Sequence, residues 1–132
     1  MPEPLGSVRP AADEMPYAEA GDLAPIRAFV RSNAVALGLP ATRADLLTLA
    51  VSELTTNTLQ HTTGGGRVRV FAEGAQVVCD VIDGGPARSF RPMPAADSIR
   101  GRGLAIVAQV ADDVTSWSGP EGTVVRMRMN LA

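Results

Sequence analysis

Apolar residues first recur at helical spacing after Asp22, where Leu23, Ile26, Phe29, Val30 and Leu37 mark one face of a helix. Asp22 suits its N-cap, Gly38 its C′ position, and Pro40 prevents continuation. A second helical segment covers residues 42–62 and stops at Gly64-Gly65-Gly66, with Thr42 and Asp45 spaced as a capping box. Its positions Leu46, Leu49, Ala50 and Leu54 define an inward stripe. The same stripe, continued by steps of three and four, passes through Glu53, Asn57, Thr58 and His61. The period then changes to two. Val68, Val70 and Ala72 alternate with Arg67, Arg69 and Glu73, Gly74 turns the chain, and the more apolar QVVCDVID returns as the second strand of a hairpin. Residues 102–111 predict a third helix with Leu104, Val107 and Ala108 inward, and residues 114–117 and 123–131 a second hairpin. Residues 1–21 are proline-rich and read as largely irregular, with room for a short edge strand at 15–18. Residues 22–132 then form one domain. The alternation predicts an α+β fold, a two-layer α/β sandwich. Its mostly antiparallel, mixed sheet has one wet face and about three helices on the other.

The second helix poses a chemical question. A carboxylate on a core-facing stripe is costly unless it is paired, solvated or bound to a cation. One reading makes Glu53, Asn57 and His61 the wall of a pocket. There an amide oxygen suits Mg²⁺, and a carboxylate one turn away can accept a proton. The other has Glu53 pair with an arginine while His61 caps the helix end, where a cation is favoured. The helix alone does not choose between them.

Three further motifs carry chemistry. Asp83-Gly84-Gly85-Pro86 ends an apolar strand, where a carboxylate can accept from an exocyclic amine, or where the strand simply turns. Gly101-Arg102-Gly103-Leu104, with Arg100 before it, opens the third helix and exposes backbone N–H groups suited to phosphate; many such glycines merely end loops. Gly122-Thr123 starts the last strand and places a hydroxyl there. Between the second and third motifs lies an aperiodic stretch, residues 84–100, whose length suggests a functional lid or disorder.

Composition narrows the choice by exclusion. The chain has 132 residues, enough for one domain. All 12 basic residues are arginines, which removes lysine-dependent chemistry, and a net charge of −2 argues against a nucleic-acid surface. One cysteine and one histidine exclude an internal disulfide and a two-histidine metal site. No apolar run approaches the about 18 residues of a membrane span, and the N-terminus lacks the basic-then-apolar order of a signal peptide. A soluble, cytoplasmic protein with no membrane partner is the expectation.

Taken in order, the four motifs resemble the nucleotide-binding boxes of the GHKL (Bergerat-fold) ATPase superfamily. Glu53-Leu54-x-x-Asn57-x-x-x-His61 looks like its N box and Asp83-x-Gly85 like its first glycine box. Gly101-x-Gly103-Leu104 is similar to the second and Gly122-Thr123 to the last. The resemblance spans roughly residues 22–131, and within the superfamily the small size and the N-box form resemble the anti-sigma-factor serine kinases.

The resemblance implies ATP or ADP bound with Mg²⁺ between the central helix and a lid at about residues 84–100. Asn57 would hold the metal and Glu53 would be the general base. Asp83 would take the adenine amine with Thr123 assisting, and Gly85 would belong to the same box. Arg100, Gly101, Arg102, Gly103 and Leu104 would wrap the phosphates, with His61 near them. The implied partners are an antagonist protein phosphorylated on serine or threonine and a sigma factor; a homodimer is left open. Two departures stand out: Ala87 replaces a glycine, and Pro92 and Pro94 stiffen a lid that also carries Arg88 and Arg91. They keep a second function in view, a nucleotide-reading partner switch without a kinase step.

Overall fold

Gly38 decides where the first helix stops. The computed structural model describes residues 13–61, 65–83, 105–120 and 122–131, and its first helix, α1, is Leu23–Ala36. Gly38 adopts a φ of 111°, its N–H donates to the Val35 carbonyl at 3.0 Å, and the Leu39 N–H donates to that of Ala34 at 3.0 Å. This doubly bonded end needs a residue tolerant of positive φ, and it swings Leu39 into the core. At the other end Asp22 flanks the helix, but its carboxylate accepts from the Ala18 and Glu19 N–H groups at 2.8 and 3.1 Å. It braces the 3₁₀ turn Ala20–Asp22 and does not cap α1.

The long central helix α2 is Ala41–His61. The capping box expected at Thr42 and Asp45 does not form. The Ala44 N–H donates to the Pro40 carbonyl at 2.8 Å, so the helix has already begun before Thr42. Asp45 instead pairs with Arg31 of α1 at 2.6 Å.

The inward stripe is also rotated from its expected phase. Ala44, Leu47, Ala50 and Val51 are fully buried, whereas Leu46 and Leu49 are 44% and 46% exposed. Adjacent leucines at 46 and 47 offer two phases, and the one adopted lets small residues meet α1 while Leu47 and Leu54 fill the core. The stripe therefore runs on into Thr55 and Thr58, hydroxyls satisfied by the carbonyls of Val51 at 2.8 Å and Leu54 at 3.1 Å. Glu53 and Asn57 fall on its flank, half-buried.

The strands are β1 (Asp13–Tyr17), β2 (Gly66–Glu73), β3 (Gln76–Asp83), β4 (Asp113–Gly119) and β5 (Gly122–Asn130), with the short helix α3 (Ala105–Val110) before β4. They form one sheet in the order β1-β2-β3-β5-β4, every neighbouring pair antiparallel. The edge strand expected at 15–18 is β1. One core lies between the sheet and the helices. Ile26, Val30, Leu47, Val51 and Val107 meet Val68, Val70, Cys79, Val81, Met127 and Met129, giving the α+β two-layer sandwich.

The opposite face departs from simple alternation. Val78, Asp80 and Ile82 of β3 are fully buried there, although no helix among the described residues covers them. Arginines from the flanking strands roof them over. Arg69 reaches Asp80 Oδ2 through Nη2 at 2.9 Å, and Arg126 grips both carboxylate oxygens at 2.7 and 2.8 Å. The Arg126 guanidinium lies 5.3 Å from the Phe71 ring and 5.1 Å from the Trp117 ring. Arg67 pairs with Glu14, and Arg128 with Glu73 at 2.6 Å, which holds the Glu73 carboxyl below the usual range. The face is wet at its tips and dry beneath, because the aliphatic stems of arginine cover the centre.

Candidate functional site

One row of residues crosses the sheet at the end where β3 finishes. Tyr17 pairs with Gly66, Gly66 with Asp83, Asp83 with Thr123, and Thr123 with Ser118. Cross-strand partners share a face, and this row has the parity of Val68, Val81 and Val125, the helix side. Asp83 and Thr123, separated in sequence and both singled out for base recognition, are thus immediate neighbours and half-buried.

The row also contains a residue that the sequence pattern did not single out. Tyr17 is 2% exposed, and its hydroxyl donates to the Ile82 carbonyl at 3.4 Å. The Thr58 hydroxyl of α2 is its neighbour on the helix side and can donate to the phenol oxygen. Burial pushes the phenol pKa up to about 12, with the nearby Asp83 charge adding to it and Thr58 opposing it. Gly66 makes this possible: a Cβ there would overlap the Ile82 carbonyl oxygen and come to 3.0 Å from the Tyr17 hydroxyl. The available signal was thin, a lone tyrosine on an edge strand and a glycine that read only as a helix stop.

Because one hydroxyl touches both Thr58 and the peptide before Asp83, the last turns of α2 and the end of β3 lie at the same end of the sandwich. Asn57 is the residue before Thr58, and Glu53 is one turn earlier on the same flank. Among the described residues neither side chain has a hydrogen-bond or ion-pair partner, so the arginine pairing considered for Glu53 is absent there. Two half-buried polar groups thus stand on the helix whose Thr58 meets Tyr17 of the row that carries Asp83.

Gly85, Arg100, Gly101, Arg102, Gly103 and Leu104 lie outside the described residues, as does the lid at 84–100 with Ala87, Arg88, Arg91, Pro92 and Pro94. His61 closes α2, and its side chain is likewise outside the described set.

The family model of the histidine kinase-like ATPase domain matches residues 17–129, from Tyr17 through the last strand. The chain belongs to that family. No curated protein matches it. Membership places this ATPase domain in the GHKL-type superfamily, with ATP or ADP as its ligand and ATP use as its activity.

The described residues of the ATPase domain fit such a ligand. A carboxylate can only accept hydrogen bonds when ionised, which matches the amine of adenine, and the Thr123 hydroxyl beside it can donate or accept. No cluster of three His, Cys, Asp or Glu side chains among the described residues could hold a metal unaided. Mg²⁺ does not need one, since it is held by one or two protein oxygens together with phosphates and water. Among the described residues no helix is long and apolar enough to cross a membrane.

Proposed function

We propose that this chain is an ATP-dependent protein serine/threonine kinase of the anti-sigma-factor type, one that phosphorylates an antagonist protein and binds a sigma factor. One observation supports it above the others: Glu53 and Asn57 stand half-buried and without partners among the described residues on α2, the helix whose Thr58 meets Tyr17 of the row that pairs Asp83 with Thr123. Asp83 and Thr123 hold the adenine edge. The Asn57 amide oxygen holds Mg²⁺, which draws charge from the phosphates when bound. Glu53, one turn away, accepts the proton of the incoming hydroxyl. Gly101 to Leu104, with Arg100 and His61, surround the phosphates. The cytoplasm is the compartment expected.

Transfer of labelled phosphate from ATP to a cognate antagonist domain in Mg²⁺ is the test. Glu53→Gln should lower transfer by about 10²- to 10⁴-fold while nucleotide binding is kept, because only the proton acceptor changes. No transfer at any Mg²⁺ concentration would end the kinase reading.

A partner switch without catalysis is favoured by Ala87 in the glycine box and the prolines of the lid. On that reading Glu53→Gln leaves partner regulation by ADP intact. Both readings require Mg·ADP to raise the melting temperature, as any ligand of the native state does.

A further inference from the structure

We infer that Tyr17 is a positioning residue for base recognition: its hydroxyl, carried across Gly66 to the Ile82 carbonyl, fixes the end of β3 that presents Asp83. The inference rests on the adenine reading of Asp83 and adds a residue from the edge strand to it.

Three constraints converge on one oxygen. The ring is buried, so it cannot swing out without opening the core. Gly66 lies between Tyr17 and Asp83 in the row and lacks a side chain, so the ring crosses the gap that any other residue would fill. The third constraint is Thr58, whose single hydroxyl proton can go to the Leu54 carbonyl at 3.1 Å or to the phenol oxygen, which sets the phenol against the helix one residue from Asn57. β3 ends at Asp83. The clamp holds the preceding peptide and so adds to the strand pairing of Asp83 with Gly66 and Thr123. With it, the acceptor is aimed before ligand arrives, and preorganisation of this kind shows in affinity and selectivity.

Adenine and hypoxanthine differ at the position a carboxylate would read, an amine in one and a carbonyl in the other. ADP and IDP are therefore the probes, titrated calorimetrically in Mg²⁺ against the full chain and against Tyr17→Phe, Thr58→Val, Asp83→Asn and Tyr17→Phe/Asp83→Asn. Tyr17→Phe keeps the ring and removes only the hydroxyl. It should weaken ADP about 2-fold, the low end for one neutral hydrogen bond and in keeping with its 3.4 Å length, and leave IDP unchanged. Thr58→Val should move the ADP-to-IDP ratio the same way by less, which keeps the test alive if the tyrosine variant folds poorly. The double variant should bind ADP no worse than Asp83→Asn alone. A purely structural role would lower the melting temperature and weaken both nucleotides equally, and that result overturns the inference. If Asp83→Asn itself keeps the wild-type ratio, the adenine reading has failed. If Asp83→Asn loses the ratio and Tyr17→Phe and Thr58→Val keep it, only the positioning role has failed.

Discussion

Asp83 and Thr123 are register partners across β3 and β5, on the helix side of the sheet. Such partners hold their Cβ atoms about 5 Å apart, so a carboxylate and a hydroxyl reach one ligand edge together. Asp83→Asn keeps the shape but replaces a charged acceptor with a neutral amide, one of whose two ends is a donor. ADP affinity should fall about 10- to 100-fold, the range of a hydrogen bond to a charged group. Thr123→Val, which removes a neutral partner, should cost about 5-fold. Titration of a fluorescent ADP analogue checks both, and equal losses for the two would contradict the division of roles.

The pairing was legible in outline. Asp83 and Thr123 stood at a strand end and a strand start, and only the register makes them neighbours. The β3 strand was legible from its apolar run, but its buried Asp80 was not. A charge in a central strand is tolerated because Arg69 and Arg126 occupy the facing positions of both flanking strands, and that is a fact of pairing. The central helix shows the reverse difficulty. Its existence and length followed from periodicity, while its phase did not, because Leu46, Leu47 and Leu49 satisfy more than one stripe. Tyr17 belongs to a further class, a residue whose partners all come from other elements.

The helix phase gives a sharp comparison. Leu47 is fully buried and Leu46 is 44% exposed. Leu47→Ala removes core volume and should destabilise by about 2–5 kcal/mol. Leu46→Ala should stay within about 0.5 kcal/mol, as surface changes usually do. Urea titration of both variants decides it, and a larger loss at Leu46 would mean that α2 is rotated.

Asp80 is the structural charge of the opposite face. Asp80→Asn would leave Arg69 and Arg126 side by side, each 21% exposed, without the carboxylate that neutralises them. Because both guanidinium groups reach water, the loss should be about 2–3 kcal/mol, below the ~3–5 kcal/mol of a wholly buried pair. In calorimetric melting this is a drop of roughly 10 °C for a chain of this size. Nucleotide affinity should hold, since the cluster faces away from the row that carries Asp83. A variant that melts normally would show that the arginine roof contributes no net stability.

Asp112 ties the start of β4 to the end of β5. It accepts from the Asn130 N–H at 2.7 Å and from Arg43 of α2 at 2.9 Å, and the first of these does most to hold its carboxyl below the ordinary aspartate value. A carboxyl depressed in the folded state binds protons more readily once unfolded. Its stabilising share is therefore complete above the ordinary value, about pH 4, and is lost as the pH falls through the folded-state value. Asp112→Asn is neutral at every pH. The melting-temperature gap between it and the wild type should be full at neutral pH and close progressively in acid. Salt should trim only the part owed to Arg43, because that ion pair is partly exposed while the backbone bond is local. A gap that persists unchanged at the acid end would show that the substitution acts through packing, and that the charge on Asp112 contributes nothing.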